Sequence, residues 1–212
     1  MTDNLIDALV KDLRAVHPSE IKRKLLLALA VGFLVSAISF MIVRGFRPDL
    51  VSIIQLRIFW LKSAFPFVLS AIGTHALLIV ARPGGVPLRA VWYAIAAYLV
   101  LVALALLQLK ASAVSEWSGL MLGRSWWICP MLIVCVSAPV FAAIVFFLRQ
   151  AAPTDLRLSG FVAGSTSGAI GAWIYSWGCL EDGLAFMAMW YLLGILACGA
   201  LGALSGPRLL RW

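Results

Sequence analysis

The chain has 212 residues, 63% of them apolar and only 12% charged, with a mean hydropathy of +1.01. A soluble domain carries roughly 25% charged residues and at most about half apolar ones, so this composition excludes a soluble enzyme, a disordered chain and a disulfide-framed miniprotein. The net charge of +8 does not point to nucleic acid, because the basic residues stand in ones and twos at the ends of apolar runs and form no stripe that could follow phosphates.

In chain order, residues 2–16 (TDNLIDALVKDLRAV) come first. Leu5, Ile6, Leu9, Val10, Leu13 and Val16 recur at helical spacing, with Asp3, Asn4, Asp7, Lys11, Asp12 and Arg14 mostly on the other side. Thr2 or Asp3 caps the start, and Pro18 disfavours helix at His17. Three Asp against one Lys and one Arg on this stretch suit a helix laid into a partner's groove better than one lying on anionic lipid. Docking onto the chain's own bundle is the alternative.

Six apolar runs follow, at about 25–43, 64–81, 90–109, 127–148, 158–177 and 184–204, each long enough to cross a bilayer. The first is read as a retained helix, since Asp3, Asp7, Asp12 and Glu20 precede it where a signal peptide would carry a short basic leader. Arg82-Pro83-Gly84-Gly85 closes the second run, Pro87 opens the third, and Pro153 breaks the chain between the fourth and fifth. With the N-terminus inside, eleven Lys and Arg fall on the cytoplasmic side and six outside, so both termini are expected in the cytoplasm. The stretch from Leu50 to Lys62 (LVSIIQLRIFWLK) is expected to lie along the membrane surface, with Arg57 and Lys62 snorkelling. Tryptophans near the run ends, Trp60, Trp92, Trp117, Trp126, Trp127, Trp177 and Trp190, fit interfacial belts.

The expected fold is therefore all-α, a polytopic bundle of six transmembrane helices with a short cytoplasmic amphipathic helix at its N-terminus. Residues 1–24 form the cytoplasmic N-terminal segment, 25–204 the transmembrane domain and 205–212 a cytoplasmic tail.

Catalytic groups are scarce within it. His75 after Thr74 is the one ionisable residue at mid-depth, and a lone histidine reads as a hydrogen-bonded bundle residue rather than a metal ligand or proton relay. No HExxH, phosphate-cradling Gly loop or Ser/His/Asp set can be assembled, so neither an enzyme nor a cofactor is expected. Gly160, Gly164 and Gly168, and Gly194, Cys198, Gly202 and Gly206, form small-residue ridges through which the last two spans pack on each other, homo-oligomerisation being the other use. Cys135 and Cys198 read as small apolar fillers. Cys129 and Cys179, by contrast, fall at the outer ends of consecutive hairpins. Three readings of that pair stay open: a structural disulfide, a thiol pair sensing oxidants or binding a soft metal with Glu181 and Asp182 nearby, and coincidence. No CxxC is present.

Several stretches resemble the NrsF-type bacterial membrane anti-sigma factors. They are the opening LIDALVKDL, Gly45-Phe46-Arg47-Pro48-Asp49-Leu50, Ala81-Arg82-Pro83-Gly84, Trp190-Tyr191-Leu192-Leu193-Gly194-Ile195, and Gly206-Pro207-Arg208-Leu209-Leu210-Arg211-Trp212. The resemblance implies a multi-pass protein of the bacterial inner membrane that sequesters an extracytoplasmic-function sigma factor through the N-terminal helix, on Leu5, Ile6, Leu9, Val10 and Leu13. It implies release under heavy-metal or oxidative stress, sensed by two outer cysteines that map onto Cys129 and Cys179. Rival expectations are a small transporter or channel, with His75, Thr74, Ser165, Thr166 and Ser167 on its path, and a membrane thiol oxidoreductase.

Overall fold

The computed structural model describes residues 18–45, 55, 57–151 and 153–211, which form seven helices and no strand. They are α1 (Pro18–Arg44), α2 (Arg57–Val80), α3 (Leu88–Ala111), the short α4 (Trp117–Leu122), α5 (Ile128–Arg149), α6 (Leu156–Ser176) and α7 (Leu184–Leu209). Residues Met187–Tyr191 of α7 form a π turn. The expected N-terminal helix, with Leu5, Ile6, Leu9, Val10 and Leu13, lies outside the described residues.

Five of these helices, α1, α2, α3, α5 and α7, are long and apolar enough to cross a membrane. The sixth expected span, α6, has 21 residues but too many Gly, Ser and Thr to join them by hydropathy. Its place in the fold explains that composition. It packs against α1, α2, α5 and α7, and fifteen of its 21 residues are buried. A helix enclosed by other helices needs small side chains more than greasy ones.

The predicted ridges meet as expected. A Cβ on Gly160 would lie 2.2 Å from the Gly202 carbonyl oxygen, and one on Gly164 would lie 2.1 Å from that of Cys198. Cys198 is itself buried, its Sγ 3.2 Å from Ser137 Oγ. Cys135 departs from expectation, since it is exposed on α5 rather than filling the core.

Two ends of the bundle are distinct. At the basal end, Arg149 Nε donates to the Leu209 carbonyl (2.6 Å) and the Gly84 amide donates to Thr154 Oγ1 (3.1 Å). These bonds tie the last turns of α5 and α7, and the α2–α3 and α5–α6 loops, to one level, where α1 also begins. At the opposite end, α4, the turn before α5 and the loop 177–183 form a cap.

Several helices extend beyond the apolar runs, because a run marks only the apolar part of a helix. Thus α1 starts at Pro18, in the first-turn position that proline tolerates, and α2 starts at Arg57. The expectation of a surface helix ending at Lys62 is thereby corrected. Residues 57–62 are the first turns of α2, and Lys62 is buried at 2% exposure. Its ammonium stays inside because the cap supplies acceptors there. Outside, α1 and α3 present Leu26, Leu27, Val31, Ile42, Leu99 and Leu107 among many exposed apolar side chains, a surface far too continuous for water.

Candidate functional site

The last turn of α6 and the first turn of α5 meet beneath the cap. Cys129, the second residue of α5, is fully buried, and its amide bonds back to the Ser125 carbonyl at 2.9 Å. Cys179 follows α6, held by an amide bond to the Tyr175 carbonyl at 3.1 Å, and is 3% exposed. Both stand as thiols, near enough to interact electrostatically with each other and with the phenol of Tyr175. The Tyr175 hydroxyl lies within hydrogen-bonding range of both sulfurs. Tyr191 closes the group. It ends the π turn of α7, its ring is 5.7 Å from that of Tyr175, and its buried hydroxyl also neighbours Cys179 but has no well-formed hydrogen bond. The structure therefore brings Cys129 and Cys179 together beside two tyrosines.

Over them lies the loop 179–183, lashed from three sides. Lys62 of α2 donates to the carbonyl of Cys179 (2.7 Å) and to that of Glu181, and pairs with Asp182 Oδ1 at 3.8 Å. From α3, Gln108 Nε2 donates to the Asp182 carbonyl (3.3 Å) while its Oε1 accepts from the Leu184 amide (2.7 Å). From the turn before α5, the Arg124 amide (2.8 Å) and Ser125 Oγ (3.3 Å) donate to Glu181 Oε1. Gly123 makes that last contact sterically accessible. Its φ is +57°, and a Cβ there would sit 2.6 Å from Glu181 Oε2. A buried ammonium is tolerable only with such partners.

The chemistry available is that of two buried thiols beside two tyrosines and beneath a polar cap. Glu181 and Asp182 are engaged in the cap, and among the described residues no three His, Cys, Asp or Glu side chains gather into a metal set. The expectation that these carboxylates complete a soft-metal site is not supported. A soft cation would have two sulfurs as its ligands. Burial also keeps such thiols inert while the cap covers them.

Other candidates separate from this centre. His75 is exposed on α2 rather than bonded within the bundle. The hydroxyls of Thr74, Thr166 and Ser167 donate to carbonyls of their own helices, those of Ser70, Val162 and Gly164, so they do not line a polar path. Gln108 and Tyr175 were not singled out from sequence, Tyr191 stood only within a stretch that carries the family resemblance, and Lys62 was read as a snorkelling side chain. A signal existed for Lys62: once the second run is extended to Ile58, it becomes a lysine inside a span, which by itself marks a residue for attention.

Residues 9–212 match the family described as NrsF, negative regulator of sigma F. The chain is 35% identical to the "Probable anti-sigma-F factor NrsF" of Azospira oryzae over 221 aligned residues, covering 100% of this chain and 99% of that one. It is 36% identical to the "Anti-sigma-F factor NrsF" of Caulobacter vibrioides over 217, with the same coverage of each. No solved structure matches.

Proposed function

Because the chain belongs to the NrsF family of negative regulators of sigma F, we propose that it is an inner-membrane anti-sigma factor whose N-terminal segment sequesters a sigma factor of the extracytoplasmic-function class. The full-length match to two anti-sigma-F factors carries this reading. In it, α6 is the sixth crossing, enclosed by its neighbours. Both termini then share the basal, cytoplasmic side, which the excess of Lys and Arg there favours.

Leu5, Ile6, Leu9, Val10 and Leu13 form the apolar stripe that enters the sigma factor. A helix of about 15 residues buries little area, so tethering to the membrane supplies the effective concentration that makes capture efficient.

Cys129 and Cys179 are the signal-receiving pair on the periplasmic side. A soft divalent metal displaces two thiol protons and bridges the sulfurs, or an oxidant takes two electrons and two protons as the disulfide forms. Either product draws Tyr175 and the loop 177–183 into a new arrangement. What supports a route onward is Phe40 of α1, whose ring stacks edge-on to Tyr175 at 6.1 Å and lies against Gly178. From Phe40, α1 runs to Pro18, where the sigma-binding segment begins.

The test is a pulldown in gentle detergent, comparing the full chain with one lacking residues 2–16. A sigma factor recovered only with the full chain is expected. Its absence from both, at equal expression, would overturn the reading.

A further inference from the structure

A cavity of about 400 Å³ opens between α2, α3, α6 and α7, on the basal side of mid-bundle. Gly73 and Ala76 of α2, Ala90 and Ala94 of α3, and Val162 and Ala169 of α6 form its walls. Its mouth lies between α3 and α7, where Val91, Ile95 and Leu196 are exposed at the rim. Helix α3 rests on α2 and on the first turns of α7 near the cap, and packs little against α6 and the rest of α7 below.

What fills such a space follows from its lining. Water, at roughly 30 Å³ per molecule and two to four hydrogen bonds each, has too few groups to bond across such a space. Three side-chain hydroxyls lie on the wall, those of Tyr98, Ser165 and Thr166; Thr166 Oγ1 is spent on the Val162 carbonyl, and Ser165 Oγ is buried without a hydrogen-bond partner beside Gly199. The medium around these helices is hydrocarbon, and the volume lies within the range of ligand pockets. Below the mouth three arginines stand with one carboxylate, the exposed Asp155 that caps α6, so positive charge is in excess. Arg82 in the α2–α3 turn, Arg89 in the first turn of α3 and Arg157 in the first turn of α6 are all exposed, one turn or so from residues that line the cavity.

We propose that this cavity binds one acyl chain of an anionic phospholipid, whose headgroup phosphate is held by Arg82, Arg89 and Arg157. Basic residues beneath an apolar slot between helices make a phospholipid-headgroup site, and the apolar chain alone would gain little over the surrounding lipid. The proposal rests on the chain being membrane-embedded and not on its binding a sigma factor.

The test uses the full chain in nanodiscs of phosphatidylcholine doped with phosphatidylglycerol that carries a diazirine in its acyl chain, with crosslinks mapped by mass spectrometry. Labelling at Tyr98 and Ile95 should exceed that at Leu26 and Ile42 of α1, and the same probe on a phosphatidylcholine headgroup should lose this excess. Ala94→Trp, which fills the cavity, should abolish the excess while α1 labelling persists as the control for folding. Arg82→Gln with Arg89→Gln, which leaves the cavity intact, should erase the headgroup preference. Equal labelling of α1 and the cavity wall would overturn the proposal, as would equal labelling by both headgroups. Cavity labelling that appears only after deletion of residues 2–16 would overturn it too, by giving the slot to the chain's own N-terminal segment.

Discussion

Helix α1 and helix α6 are opposites. Helix α1 is among the most apolar of the long helices, yet little of it is buried. By contrast α6 is too polar to rank among the apolar spans, and fifteen of its 21 residues are buried. In a soluble protein hydropathy and burial rise together; here they diverge, as they must where outer helices are apolar enough to cross a membrane and the inner one meets backbone. Stability in the centre therefore rests on close approach, and hydropathy at the rim rests on the solvent.

Substitutions should separate the two regions sharply. The largest effect is expected at Gly164→Leu, whose first side-chain carbon already collides with the Cys198 carbonyl. Overpacking of a rigid site costs about 1–3 kcal/mol or more, and a full leucine here should remove the monodisperse species in size-exclusion chromatography. Next comes Lys62→Met, which leaves the carbonyls of Cys179 and Glu181 without their donor at a cost of about 1–3 kcal/mol per buried group. Its thermal midpoint should fall, and Cys179 should react with a membrane-impermeant maleimide that barely touches the parent chain. Unchanged labelling would mean that Lys62 does not hold the cap. Gly123→Ala should lose about 1–3 kcal/mol through its left-handed backbone and speed the same labelling to a lesser degree. Leu26→Ala on the exposed face of α1 should shift the midpoint least, within about 0.5 kcal/mol; a large loss there would mean that this face is covered by protein.

Much of the rim was readable from residues alone. Apolar runs located the five helices long and apolar enough to cross a membrane, and a sixth run fell on the more polar α6; Pro and Gly punctuation marked the α2–α3 and α5–α6 turns, because both signals depend on local composition. The glycine ridges of α6 and α7 were legible for the same reason. The cap was not. Lys62, Gln108 and Glu181 come from three distant segments, and a lysine five residues into a helix looks like a snorkelling side chain until the loop that receives it is known. Cys129 and Cys179 could be placed at the same end from topology, but the two tyrosines beside them depend on the turn of α6 and on the π turn of α7, neither of which leaves a periodic trace.

The central claim joins the buried thiol pair to release of the sigma factor at the other end of α1. The direct measurement is the amount of sigma factor retained on immobilised chain after treatment with cadmium or diamide, for the parent and for Cys129→Ser with Cys179→Ser. The parent should release its partner and the double variant should keep it, while both bind equally before treatment. Release from the double variant as complete as from the parent would contradict the account.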